Sequence, residues 1–314
     1  MSQPQPPSAV LVVGGGFIGS HVARGFVARG IPTTVLTRSK PEVGTRARLN
    51  GARVMISDAT NAALIRDALD GTDHVVWCAG GLLPTESTHR PIDDVLATLP
   101  PLLVVLEELA QRGGMRIAIV SSGGTVYGNP AVLPVPEIAL PRPLSSHGVT
   151  RLASEHYVDL YAQLHGVRGV ALRCANVYGE GQRSDRSQGV VAATMAHIQR
   201  GEPVPMFGDG STTRDYVHVD DVVHVVCDLL DRPDLPSVIN LGSGVGTPLR
   251  ELLELIGAVA GRAFEVEPLA ARQGDVRSIV LDIDLLQSLV HFEPTTLRDG
   301  IERTWATFEH AGGT

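Results

Sequence analysis

The residues best suited to chemistry come at the start of the chain. A β-rich run, Ala9–Val13, leads straight into Gly14-Gly15-Gly16-Phe17-Ile18-Gly19, a G-x-G-x-x-G turn that opens a helical stretch, Phe17–Arg29. In such a turn the first glycine permits the tight bend and the second lets backbone amides approach a pyrophosphate. The third allows close strand–helix packing, and the helix start faces the anion. Gly14, Gly16, Phe17, Ile18 and Gly19 are therefore candidate dinucleotide contacts. The end of the second strand decides which dinucleotide. A carboxylate there would accept from the ribose 2′-OH of NAD, but the segment reads Leu36-Thr37-Arg38-Ser39-Lys40. Arg38, Ser39 and Lys40 offer donors and positive charge to a 2′-phosphate. NADPH is the expected cofactor and NADH the less favoured one; two incidental cations on a solvated loop is the plain alternative.

The elements that must position these residues follow from apolar patterning. Thr33–Thr37, Arg53–Ser57, His74–Cys78 and Arg116–Ser121 are Val- and Ile-rich and read as apolar on both faces, as in a parallel sheet covered by helices on both sides. Helical stretches Asn61–Leu69, Pro91–Arg112 and Ser146–His165 fall between or after them. This alternation predicts an α/β fold with a doubly wound parallel sheet. After about residue 176 the pattern loosens. Helices are expected at Val190–Arg200, Asp220–Leu230, Pro248–Gly261 and Thr296–Phe308, with strands Val217–Val219 and Val238–Leu241 returning to the main sheet. The expected organisation is a Pro-rich disordered tail over residues 1–8, an NADP-binding domain over 9–175, and a smaller mixed α/β substrate lobe over 176–314.

Composition excludes several function classes. The 314 residues carry a net charge of −8 with no basic block, which argues against nucleic acid and anionic membrane surfaces as partners. No apolar run approaches the roughly 18 residues of a membrane span. Cys78, Cys174 and Cys227 are odd in number and widely spaced, against a disulfide framework or zinc knuckle and in favour of a reducing, cytoplasmic location. The N-terminus lacks the basic-then-apolar pattern of a signal peptide. His218, Asp220 and Asp221 lack ligand spacing, so no metal is expected.

Longer motifs carry a family resemblance over nearly the whole chain. Ser121-Ser122-Gly123-Gly124-Thr125-Val126-Tyr127-Gly128, Arg173-Cys174-Ala175-Asn176-Val177-Tyr178-Gly179 and Thr213-Arg214-Asp215-Tyr216-Val217-His218-Val219-Asp220-Asp221-Val222 resemble the extended short-chain dehydrogenase/reductase family, in its branch of nucleotide-sugar epimerases and dehydratases. The resemblance implies a Rossmann-type fold and further cofactor contacts. These are Asp58 beside the adenine, Ala79 and Gly80 in the Cys78-Ala79-Gly80 turn, Ser121 at the fifth strand and Cys174 at the sixth. It also implies that Asn176, Arg214 and Arg277 bind a sugar-nucleotide pyrophosphate, unless Asn176 and Arg214 only support the fold.

The family's catalytic groups are a Ser/Thr, a Tyr, a Lys and an Asn. A phenol of pKa about 10 works near neutrality only when a nearby ammonium stabilises its phenolate. Here the Tyr position is His147, the Lys position Arg151, the Ser/Thr position Gly123 and the Asn position Thr98. Lys40 is the only lysine in the chain, so Arg151 is also explained by a general Lys-to-Arg bias; Ser122 or Thr125 then takes the hydroxyl role. Arg151, one turn from His147, disfavours an imidazolium. His147 is thus expected to polarise an oxyanion as a neutral donor, with Ser122 and Thr125 beside it.

A site this poor in general acid points to one-way reduction of a small-molecule ketone that handles its own proton, as in the atypical ketoreductases that tailor aromatic polyketide antibiotics such as simocyclinone. Two alternatives stand beside that expectation: a nucleotide-sugar epimerase or dehydratase using His147, and a non-catalytic NADP-binding regulator. The loop Arg183–Gly189 is read as closing over substrate or as solvated surface. Helices Pro91–Arg112 and Ser146–His165 resemble the family's dimer-forming pair, so a homodimer is expected.

Overall fold

The computed structural model describes residues 8–184, 189–230, 232, 234–271 and 276–311. Nearly all of the expected disordered tail, and Asp185–Gln188 of the expected substrate loop, lie outside them. In chain order the first half comprises β1 (Val10–Val13), α1 (Phe17–Ala28), β2 (Thr33–Thr37), α2 (Val43–Arg48), β3 (Arg53–Ile56), α3 (Ala62–Ala68), β4 (His74–Trp77), α4 (Pro84–His89), α5 (Pro91–Arg112), β5 (Arg116–Ser122), α6 (Gly123–Val126), α7 (Ser146–His165) and β6 (Arg168–Cys174). The second comprises β7 (Asn176–Tyr178), α8 (Val190–Arg200), β8 (Val204–Phe207), β9 (Thr213–His218), α9 (Val219–Leu230), β10 (Val238–Leu241), β11 (Gly246–Pro248), α10 (Leu249–Ala260), β12 (Val266–Leu269), β13 (Ser278–Ile279), α11 (Asp284–Leu289) and α12 (Leu297–Ala311).

Seven parallel strands form the main sheet in the order β10-β6-β5-β4-β1-β2-β3, the Rossmann-type α/β fold. Strand order reverses between β1 and β4, and the crevice beyond the carboxyl ends at such a switch point is where α/β sheets bind ligands. The continuous apolar runs have a direct cause in packing. Val10 and Val12 face one core with Phe26 of α1 and Val222 and Val226 of α9, while Leu11 and Val13 face another with Leu102, Leu106 and Leu109 of α5. Burial on both faces removes the alternation a half-exposed strand would show.

Two expectations are corrected here. Val217 belongs to β9, which lies in a small sheet between β11 and β13 and also pairs with β7; it does not return to the main sheet. β10 does lie there, against β6. β3 is the sheet edge, with Arg53, Val54 and Ile56 exposed, so it is not apolar-packed on both faces. A third core joins α8, α10 and α12 through Met195, Leu252, Ile256, Ile301 and Trp305. Among the described residues no helix is long and apolar enough to cross a membrane.

Candidate active site

A cleft of about 590 Å³ opens at the carboxyl ends of the main sheet. Its floor is the glycine-rich turn. Gly14 has φ +103°, and a methyl group there would stand 2.5 Å from the Ala79 nitrogen; one at Gly19 would stand 1.8 Å from the Gly14 carbonyl oxygen. Both positions are closed to any side chain. At Gly16, by contrast, a methyl would meet nothing within 4 Å. Gly16 is the N-cap of α1 and offers no side chain to cap it. The first amides of α1 are thus left for an anion in the open floor, and the turn fits a dinucleotide pyrophosphate. Phe17, Ile18 and Gly19 line the cleft with it.

Beyond the turn, Thr37, Ser39 and Lys40 line the cleft, whereas the exposed Arg38 does not. Asp58 also lies outside the walls. Its carboxylate accepts the Thr60 amide at 2.9 Å, and bonds from Thr60 hold it below the usual carboxylate range, with the charge of Arg38 a smaller influence. Arg48, which sequence patterning missed, does reach the cleft: its Nε donates to Ser20 Oγ at 3.1 Å and its Nη2 to Thr45 Oγ1 at 3.2 Å. Its only signal was a further pair of cations, Arg46 and Arg48, shortly after Arg38 and Lys40.

The reacting wall is built on α7. Ser145 caps the helix by accepting the Gly148 amide, and Ser87 of α4 accepts the His147 amide at 3.1 Å. His147 is buried, 8% exposed, and its side chain lines the cleft. Nδ1 lies 3.1 Å from the Leu82 carbonyl oxygen. A carbonyl can only accept, so Nδ1 carries the hydrogen and Nε2 holds a lone pair. Burial first, then the charge of Arg151, lowers the His147 pKa to about 4, against weaker opposing pulls from the Leu82 bond and Asp94. The ring is neutral at pH 7 and an acceptor at Nε2. That corrects the expectation of a neutral donor to an oxyanion.

Arg151 extends across the sheet ends, with Nη1 3.3 Å from the Ala79 carbonyl oxygen and 3.4 Å from that of Val120. Burial pulls its pKa down, yet a guanidinium stays charged. A methyl on Gly80 would stand 2.4 Å from Arg151 Nη2, so Gly80 makes room for the arginine.

The hydroxyls sort by commitment. Ser121 donates to the buried Glu155, which also holds Arg173 at 2.7 Å. Thr125 turns back onto the Ser122 carbonyl at 3.5 Å and does not line the cleft. Ser122 does line it. Gly123 cannot carry a hydroxyl side chain: a methyl there would stand 2.7 Å from Leu281 Cδ1 and 2.9 Å from the Arg173 carbonyl oxygen. Thr98 is buried with its hydroxyl unpartnered. The polar side chain that α5 places beneath α7 is instead Asp94, one turn earlier, which accepts the Ser146 and Thr150 hydroxyls at 3.0 Å each.

Cys78 and Cys174 line the cleft, but burial pushes Cys174 up to about 12 and Cys78 higher still, so neither is a ready thiolate. Tyr178 and Tyr216 line it too; burial raises both phenols, Tyr216 to about 12. Asn176 lies in the wall beside Gly124. Arg214 and Arg277 are neighbours on the small sheet, Arg214 Nη1 donating to the Arg277 carbonyl oxygen at 3.3 Å, and neither lines the cleft. His218 and Asp221 are used internally: His218 Nδ1 accepts the Asp220 amide and Asp221 accepts from Thr295.

With this geometry, the NAD dependent epimerase/dehydratase family model matches residues 10–242. The chain belongs to that family. It is 32% identical to the UDP-glucose 4-epimerase of Thermotoga maritima, solved with UDP-glucose, over 96% of this chain and 99% of that one, with a TM-score of 0.91. It is likewise 32% identical to the Thermus thermophilus UDP-glucose 4-epimerase solved with NAD, over 96% and 99%, with a TM-score of 0.88. A dTDP-4-dehydro-6-deoxy-D-allose reductase from a Streptomyces species is 30% identical, over 94% of each chain. The expected reduction of an aromatic-polyketide ketone is corrected by these relatives, which are nucleotide-sugar enzymes. Loss of the Tyr–Lys pair is not loss of proton chemistry, because His147 presents an acceptor in its place.

Proposed function

We propose that this protein is an NAD(P)-dependent nucleotide-sugar epimerase or dehydratase that transiently oxidises a carbinol carbon of a nucleotide-linked hexose. The observation that carries this reading is the neutral His147, with its Nδ1–H given to Leu82 and its Nε2 lone pair left for a substrate hydroxyl. A bound dinucleotide supplies hydride uptake and return at the sugar carbon. His147 Nε2 takes the hydroxyl proton as the C–OH becomes C=O. The resulting imidazolium, buried beside Arg151, is a strong acid: in an epimerase it returns that proton to the oxygen as the carbonyl is reduced again, and in a dehydratase, where the carbonyl remains, it can protonate the hydroxyl that leaves as water. One-way reduction would have to draw its proton from a nitrogen that bears none.

The amides of the Gly14–Gly19 turn would hold the pyrophosphate, with Ser121 and Cys174 of the cleft wall around the rest of the dinucleotide. Ser39 and Lys40 in the cleft wall would favour a 2′-phosphate, and Arg151 lines the same cleft at the sheet ends. Ser122 steadies the substrate oxygen. Asn176 in the cleft wall takes the sugar nucleotide, and exposed Ile92 and Leu96 on α5 with Leu160 and Leu164 on α7 favour a homodimer across those helices.

A panel of UDP- and dTDP-hexoses incubated with NAD⁺ or NADP⁺ and followed by NMR tests the reading. Interconversion or dehydration is expected, slowed by about 10²- to 10⁴-fold in His147→Gln; no change in any sugar nucleotide removes it. A second reading, a nucleotide-linked keto-sugar reductase, is favoured by the missing carboxylate at Thr37–Lys40, which suits exchangeable NADPH. It predicts stoichiometric NADPH oxidation by a dTDP-4-keto-hexose.

A further inference from the structure

The loop after β4 and the buried face of α5 meet at one carboxylate. Asp94 is fully buried. Its Oδ1 accepts the Leu82 amide at 3.0 Å, and its Oδ2 accepts the Ser146 and Thr150 hydroxyls, both from the first turns of α7. Leu82 in turn offers its carbonyl to His147 Nδ1 at 3.1 Å. One residue, Leu82, thus gives its amide to Asp94 and its carbonyl to the imidazole. Gly81 allows the approach: a methyl there would stand 2.4 Å from Asp94 Oδ1 and 2.2 Å from Thr98 Oγ1.

We infer that Asp94 is a positioning residue: by holding the Leu82 backbone and the start of α7 together, it locks His147 as the Nδ1–H tautomer and so keeps Nε2 an acceptor. The inference rests on the proposed acceptor role of His147. The free ring has two neutral tautomers of similar energy, so selection needs a fixed partner for one nitrogen. A loop carbonyl fixes it only if the loop itself cannot drift, and a buried carboxylate with three donors is a strong anchor. Asp94 touches neither substrate nor cofactor in this role; it acts through Leu82.

The test uses ligand-free protein labelled with ¹⁵N-histidine and long-range ¹H–¹⁵N correlation, which distinguishes the two ring nitrogens. In the wild type His147 is expected as a single species, with Nδ1 protonated and Nε2 not. Asp94→Asn can still accept the Leu82 amide through its carbonyl oxygen and donate to the Thr150 hydroxyl oxygen, and is expected to keep that signature. Asp94→Ala, and independently Gly81→Ala from the loop side, are expected to lose it for a mixture or for the Nε2–H form. A wild-type Nε2–H tautomer overturns the inference whether or not any variant folds. So does an unchanged signature in Asp94→Ala, or its loss in Asp94→Asn. No substrate is needed, so a correct tautomer with no sugar-nucleotide turnover would sink the functional reading and leave this inference standing.

Discussion

Arg151 Nη1 lies 3.3 Å from the Ala79 carbonyl oxygen, and that anchor holds a cation one helical turn from His147. The same guanidinium is the second cause, after burial, of the depressed His147 pKa. Arg151→Met removes the charge and keeps most of the bulk. The His147 titration followed by NMR is then expected to move upward from about 4; an unmoved midpoint would mean that the guanidinium does not face the ring.

Stability should depend on pH through two buried histidines. His21 and His147 are each lowered to about 4 from the ordinary 6.5. Burial is the main cause in both, with Arg24 next for His21 and Arg151 next for His147. Between those values the unfolded chain binds more protons than the folded one. Their contribution to stability is therefore complete above pH 6.5 and is lost as pH falls toward 4, at up to about 1.4 kcal/mol per pH unit for each ring. Urea denaturation across this range should show the loss, and His21→Gln or His147→Gln should each make it shallower. A profile as steep in both variants as in the wild type contradicts the assignment.

The glycine turn separates fold from binding. Gly16→Ala adds a methyl where nothing lies within 4 Å and where φ is −76°. The melting temperature should stay within about 2 °C of wild type, a change under 1 kcal/mol. Dinucleotide affinity measured by calorimetry should drop by at least about tenfold, because the methyl occupies the pyrophosphate floor. Gly19→Ala, which strikes the Gly14 carbonyl, should instead lower the melting temperature.

Behind the cleft, Arg173 and Glu155 form a buried ion pair at 2.7 Å, and the guanidinium also lies 4.8 Å from the Tyr127 ring centroid. Removing either partner leaves an uncompensated buried charge. Arg173→Met or Glu155→Gln should cost about 3–5 kcal/mol in chemical denaturation, and the double variant less than the sum of the two. Strict additivity would show that the pair is not coupled.

Much of this molecule was legible from residue order because its strongest signals are local. The glycine turn and the apolar runs of β1 and β4 each act within a few residues. Where the sheet ends could not be read, the reason is that apolar character does not say which neighbour a strand takes: Val217 is buried, but in the small sheet. Thr98 and Asp94 share a helix face four residues apart, so spacing alone could not choose between them; the hydrogen bonds that Asp94 accepts from Leu82, Ser146 and Thr150, all distant in the chain, decide it. Arg48 was missed because its role depends on Ser20, 28 residues away. The sense of hydrogen bonding at His147 depends on the Leu82 carbonyl, 65 residues distant, a contact that no local pattern encodes. That missing contact is why the substitution of His for Tyr pointed to the wrong substrate class.

The most direct test is isotopic. UDP- and dTDP-hexoses carrying deuterium at the carbon to be oxidised are incubated with the full-length protein and its dinucleotide, and the product is analysed by NMR. Transient oxidation with His147 as proton acceptor predicts that the deuterium returns to the sugar without exchange with water and that His147→Gln forms product at least about 10²-fold more slowly. Deuterium left on released cofactor, or full product formation by His147→Gln, would contradict it.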